Sequence, residues 1–204
     1  VINVLKEQHP QLELDLQRTL FTIVAGRFVK PGSKLKIFEH WRKILYPEMI
    51  DPELPLHHLY RTLDVLAEHK EDIETSLYWH GRDLLSEPTD IVLYYLTTLR
   101  FESTKQTQEL RRFGYSKEMR TDCTQVIFGL LLNTDGIPLG FEVYPGNTFE
   151  GTTLEGIIEK MRKKFNIRRM IFVADRGLFS AKNLKLLKQD GGEFIVGHKL
   201  GSMK

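Results

Sequence analysis

The spacing of apolar residues changes once along the chain, near Pro88, and this change restricts the fold more than any other feature. Before it, apolar side chains recur at helical intervals. Leu12, Leu14, Leu16, Leu20, Ile23 and Val24 make one broadly helical pattern, stopped by Lys30-Pro31-Gly32. Ser33 is placed to cap the next helix, which carries Leu35, Phe38, Trp41 and Leu45. Pro47, Pro52 and Pro55 punctuate a loop, and Leu56, Leu59, Leu63, Leu66 and Ala67 resume the helical spacing. A further helix is expected from Glu71 to Leu85, and Trp41 and Trp79 are expected in the core of this region.

After Pro88 the pattern becomes that of strands. Ile91 to Phe101 is rich in β-branched and aromatic residues, and Gln125 to Leu132 reads as a second strand. Thr134-Asp135-Gly136 is a turn signal leading into a third, Ile137 to Tyr144. Thr152 or Thr153 can cap a helix running to Phe165. Met170 to Ala174 is a short strand ending at Asp175-Arg176-Gly177; Ser180 can cap a helix through Lys188; Glu193 to Gly197 is a last strand. The order β-β-β-α-β-α-β behind a helical N-terminal region predicts an α/β protein. Residues 1–88 form the helical region and 89–204 a mixed-sheet domain, for which a ribonuclease H-like core is one of several possible folds.

Composition narrows the function classes. Net charge is only +2, so a polyanion-binding surface has to come from local clustering. Two clusters exist: Lys105, Arg111, Arg112, Lys117 and Arg120, and then Lys160, Arg162, Lys163, Lys164, Arg168 and Arg169. Either can be a phosphate-binding surface or merely a solvated face. The single cysteine, Cys123, excludes an internal disulfide and a cysteine-rich zinc site, and fits a cytoplasmic location. The longest apolar runs are far shorter than a membrane span, and the first ten residues lack the apolar core of a signal peptide. His57 and His58 are adjacent rather than at metal-ligand spacing, and His69, His80 and His198 show none. Ser116 and Ser180 lack a recognisable His and Asp partner, and no glycine-rich phosphate loop is present.

From Tyr94 to Leu200 the chain resembles insertion-sequence DDE transposases. The matching stretches are Thr97-Thr98-Leu99, Phe101-Glu102-Ser103, Phe113-Gly114-Tyr115-Ser116-Lys117, Gln125-Val126 with Gly129-Leu130, Gly136-Ile137-Pro138-Leu139-Gly140, Pro145-Gly146-Asn147-Thr148 with Glu150, and Ala174-Asp175-Arg176-Gly177. Lys34-Leu35 and Leu59-Tyr60-Arg61-Thr62-Leu63-Asp64 look like the region preceding that core. The resemblance implies a ribonuclease H-like core whose Asp, Asp and Glu hold two divalent metals, usually Mg²⁺. It implies DNA partners (element ends and target DNA) and leaves room for a homodimer, with no membrane partner. In-line phosphodiester cleavage is served by two cations about 3.5–4 Å apart, and hard Mg²⁺ prefers carboxylate oxygens.

Asp175 matches the second carboxylate and is the candidate metal ligand, although an Asp at a strand end also commonly caps a turn. At the first position the resemblance breaks. The family carries Tyr-Asp, a hydrophobic residue and Thr-Thr, whereas this chain reads Tyr94-Tyr95-Leu96-Thr97-Thr98, so Tyr95 stands where the metal-bridging Asp belongs. A phenol supplies no carboxylate charge and is a poor Mg²⁺ ligand. Asp90 is a poor substitute, because its odd offset puts it on the other face of a regular strand, roughly 16 Å away; Glu102 has the same parity problem. The third carboxylate, a Glu on a later helix, lies beyond the matching region. The expectation is a truncated copy with one carboxylate of three, catalytically inactive and without secure Mg²⁺ binding. Arg111, Arg112, Lys117 and Arg176 are the candidate DNA contacts. Two alternatives stand beside this reading: a non-catalytic DNA-binding or inhibitory fragment, and an unrelated nuclease using Asp122, Asp135 or Glu142.

Overall fold

The computed structural model describes residues 2–8, 14–40, 54–80, 91–107, 109–114, 122–149, 152–165, 171–174, 185, 188 and 193–196. The chain divides into two compact units, Val1–Gly81 and Arg82–Lys204.

The first unit contains α1 (Ile2–Gln8), α2 (Leu16–Val29), α3 (Lys34–Glu39), α4 (Leu56–Glu68) and α5 (Lys70–His80). Asp15 starts α2, its carboxylate accepting from the backbone N–H groups of Gln17 and Arg18 at 3.1 Å each. Ser33 caps α3 as expected, accepting from Lys36 N at 3.2 Å. Two apolar clusters hold the unit together: Leu5, Leu14, Leu16 and Val65 in one, Ile37, Leu54 and Leu59 in the other. Between these helices lies a threonine seam. Thr19 and Thr62 are fully buried, and the Thr62 hydroxyl lies 2.7 Å from that of Thr19. Both hydroxyls also reach backbone carbonyls, Asp15 O at 2.9 Å and His58 O at 2.9 Å, so burial leaves them satisfied.

This packing corrects two expectations. The buried face of α2 is Leu16, Thr19, Thr22 and Gly26, while Val24 is exposed. Gly26 is where α3 comes close: a Cβ there would meet the Ile37 side chain at 3.0 Å. On α5 it is Tyr78 that is buried, and Trp79 stands 48% exposed with its ring edge-on to Tyr78. Trp41 and Leu45 lie outside the described residues.

The second unit is a five-stranded sheet in the order β3-β2-β1-β4-β5, made of β1 (Ile91–Phe101), β2 (Thr124–Leu132), β3 (Pro138–Pro145), β4 (Ile171–Ala174) and β5 (Glu193–Val196). β1, β2 and β3 form an antiparallel meander; β4 pairs parallel to β1 and β5 parallel to β4. The β2–β3 turn is held by Asn133, whose Oδ1 accepts from Asp135 N (3.0 Å) and Ile137 N (2.8 Å), while Gly136 takes φ 76°. α6 (Leu154–Phe165) connects β3 to β4 and buries Ile157 and Phe165. Thr152 donates its hydroxyl to Phe149 O (2.8 Å). The helix expected from Ser180 to Lys188 falls mostly outside the described residues.

Strand alternation gives the sheet two different faces. By register, Val92, Tyr94 and Leu96 share a face with Leu131, Gly129 and Ile127 of β2 and with Gly140, Glu142 and Tyr144 of β3. α6 is tied to this face: Tyr144 donates to Thr153 O at 3.3 Å, and Lys160 Nζ sits 3.0 Å from a Glu142 oxygen. The other face carries the cross-strand row Tyr95, Leu130 and Phe141.

Candidate functional site

Two neighbouring parallel strands bring the ends of distant sequence motifs together. Ala174, the residue before Asp175, pairs with Tyr94, the residue before Tyr95. Asp175 itself lies outside the described residues, as do Lys117, Arg120, Arg168, Arg169 and Arg176. Tyr95 is described, and its side chain is 56% exposed. Its cross-strand partner is Leu130, and Leu93 and Thr97 flank it on the same face.

The two adjacent tyrosines are sorted by strand parity. Tyr94 turns inward and is 2% exposed, its ring lying over Gly129, where an added Cβ would come within 2.8 Å of the Tyr94 hydroxyl. Tyr144 joins it on the same face. Burial holds the Tyr144 phenol far above the usual tyrosine range, with the neighbouring Tyr94 and then Glu142 adding to the shift. In an unfolded chain a tyrosine ionises near pH 10. A folded-state pKa above the unfolded value gives stability that is complete below about pH 10 and lost as pH rises beyond it. Urea unfolding of the wild-type chain should therefore weaken steeply above about pH 10, and Tyr144→Phe should flatten that slope. Equal slopes for the two proteins would contradict the assignment.

The described neighbours of Tyr95, namely Leu93, Thr97 and Leu130, carry no carboxylate. Among the described residues no group of three or more His, Cys, Asp or Glu side chains could hold an ion. The alternative nuclease acids are scattered. Asp135 lies in the β2–β3 turn, Glu142 is engaged by Lys160, and Asp122 precedes β2.

Arg111 and Arg112 of the first basic cluster make side-chain contacts within the fold. The Arg111 guanidinium lies 4.3 Å from the Phe101 ring centroid, with Nη2 3.3 Å from Thr124 Oγ1. Arg112 exchanges backbone hydrogen bonds with Gln125 at 3.1 and 2.9 Å, adding a bridge beyond β1 to the edge of β2. In the second cluster, Lys160 meets Glu142, and Lys163 meets Glu159 at 2.6 Å.

Sequence reasoning missed a backbone knot beside these residues. Gly146 donates its N–H to Leu110 O (2.9 Å), and its carbonyl accepts from the buried Gln125 Nε2 (2.8 Å). A Cβ on Gly146 would overlap the carbonyls of Gln125 and Arg112; one on Gly114 would overlap the carbonyl of Gly146. Three of the motif stretches, around Gly114, Gln125 and Gly146, thus meet at one point. The two glycines were the only signal available.

No protein-family profile matches the chain, and neither does any curated protein. Solved structures similar to it include transposases. The piggyBac transposase synaptic complex with hairpin DNA is 12% identical with a TM-score of 0.48, over 89% of this chain and 41% of that one. The Mos1 transposase paired-end complex with left transposon end is 10% identical, TM-score 0.37, over 86% and 57%. The mariner Mos1 paired end complex with Mg is 11% identical, TM-score 0.35, over 94% and 61%. The chain spans less than two thirds of each. Among the described residues no helix is long and apolar enough to cross a membrane.

Proposed function

We propose that residues 89–204 are a ribonuclease H-like transposase core, preceded by the helical region 1–88, in a protein that binds the DNA ends of a transposable element. The observation that carries this reading is the parallel pairing of β1 with β4, Tyr94 opposite Ala174. A two-metal site needs acids close enough to share a pair of cations about 3.5–4 Å apart, and the positions that follow these adjacent-strand partners are 95 and 175. The strand order and the antiparallel β1–β2–β3 meander support the same fold. Asp175 is the remnant second ligand. Tyr95 replaces the first with a ring that carries no charge, so this chain binds Mg²⁺ poorly and does not cut DNA. Lys117 and Arg176 contact phosphates near the site, while Arg111 and Arg112 are engaged within the fold. The role left is occupancy of element ends, alone or paired with a second copy.

The test combines cleavage and binding, using the purified chain with Mg²⁺ and labelled duplexes drawn from the DNA flanking its reading frame. The expected result is no nicking, with tighter binding to inverted-repeat duplexes than to scrambled ones. Robust cleavage would overturn the inactive assignment, and equal affinity for all sequences would overturn the element-end assignment.

A further inference from the structure

The face of the sheet that α6 leaves open is apolar from edge to edge. By register, Leu93, Tyr95 and Leu99 of β1 share it with Leu130 of β2, Phe141 of β3 and Ile195 of β5. Ile195 is 63% exposed, Tyr95 56% and Leu99 47%. Among the described strand residues of this face the charged one is Glu193, and it stands at the β5 corner, in the row of Ile171 and Ile91.

Single apolar residues on a surface need no explanation, but a contiguous patch of several hundred Å² marks an interaction site. Sheets with parallel strands are normally covered on both faces. The chemistry of this patch restricts what can cover it. A polyanion needs cations, and no strand residue of the face supplies one. A two-fold contact sets a patch against itself, so any charge near its centre meets a like charge. Here the centre is uncharged, and the lone acid belongs to the rim. The size fits as well. Five strands about 4.8 Å apart, and about 20 Å along β1 from Leu93 to Leu99, give roughly 400 Å² in projection. Two such faces bury on the order of 1,000 Å² of accessible surface in all, enough for a specific but reversible dimer.

We propose that this face is the contact between two copies of the chain, their sheets stacked about 10 Å apart with the Tyr95–Leu130–Phe141 row inside. The contact uses no DNA and no metal, so it stands apart from the functional reading above.

Sedimentation velocity of the full chain, from about 1 to about 100 μM, tests it. Wild type should pass from monomer to a discrete dimer across that range. Raising NaCl from about 0.1 to about 1 M should leave the association as strong or stronger, because no ion pair holds it. Leu99→Lys should weaken it at least about tenfold, since each copy would bring an unpaired cation to the contact. Ile195→Glu should do the same from another strand. Phe28→Lys is the control: it removes a 91% exposed apolar ring from the helical unit and should leave the dimer intact. Circular dichroism checks that each variant is folded, which the exposure of the substituted residues favours. A chain that stays monomeric at about 100 μM, or forms open polymers, overturns the proposal, as does a dimer that survives both Leu99→Lys and Ile195→Glu or is lost in Phe28→Lys. A monomeric Leu99→Lys chain that binds inverted repeats as wild type does upholds both readings. One that dissociates while wild type itself shows no preference among duplexes upholds the dimer and sinks the element-end reading alone.

Discussion

Replacing Gly146 with alanine should unfold the strand unit, at a cost of about 3 kcal/mol or more. The reason is backbone on two sides. The new methyl group would collide with the carbonyls of Gln125 and Arg112, and neither can retreat, because these two residues hydrogen-bond to each other in both directions. The Gly146 N–H and carbonyl are themselves tied to Leu110 and to the Gln125 side chain. Gly136→Ala is the control. Its Cβ would meet nothing within 4 Å, but φ 76° is unfavourable for an L-residue, so about 1 kcal/mol is expected. Hydrogen exchange at β2 amides reads the strand unit directly. Tryptophan fluorescence reads the helical unit, because Trp41 and Trp79 both precede Gly81. Gly146→Ala should lose β2 protection with the fluorescence transition unmoved. A smaller cost for Gly146→Ala than for Gly136→Ala would refute the packing described.

How much of this could be read beforehand depends on the range of the interaction. The strands were legible because alternation and β-branched runs are local, and β1 begins and ends as expected, at Ile91 and Phe101. Ser33 and the Asn133–Ile137 turn were legible for the same reason, since each is held by side-chain or backbone bonds within four residues. Burial inside the helices was less so. Thr19 and Thr62 look like surface residues until each is seen to satisfy the other across 43 positions. Trp79 looks like core, yet its neighbour Tyr78 takes the inward place.

Charge type was visible, but destination was not. Arg111 is spent on Phe101 and Thr124, and Lys160 on Glu142, which arrives from another strand. The candidate site divides in the same way. Tyr95 and Asp175 could be singled out by motif, whereas the pairing of β1 with β4 joins residues some 80 apart and comes from topology alone. That pairing turns two motif positions into one possible site.

Tyr95→Asp should create a divalent-cation site beside position 175. Tyr95 is exposed, so the substitution is expected to cost the fold no more than about 1 kcal/mol of strand preference. Its carboxylate would enter beside position 175, and two carboxylates suffice to hold an ion that keeps most of its waters. Manganese reports this most directly, through the electron paramagnetic resonance signal of the free aqueous ion. Wild type should leave that signal unchanged, Tyr95→Asp should deplete it with at least about a tenfold gain in affinity, and adding Asp175→Ala should abolish the gain. A folded Tyr95→Asp chain that binds no better than wild type, or that binds equally well without Asp175, would contradict the pairing of these two positions in one site.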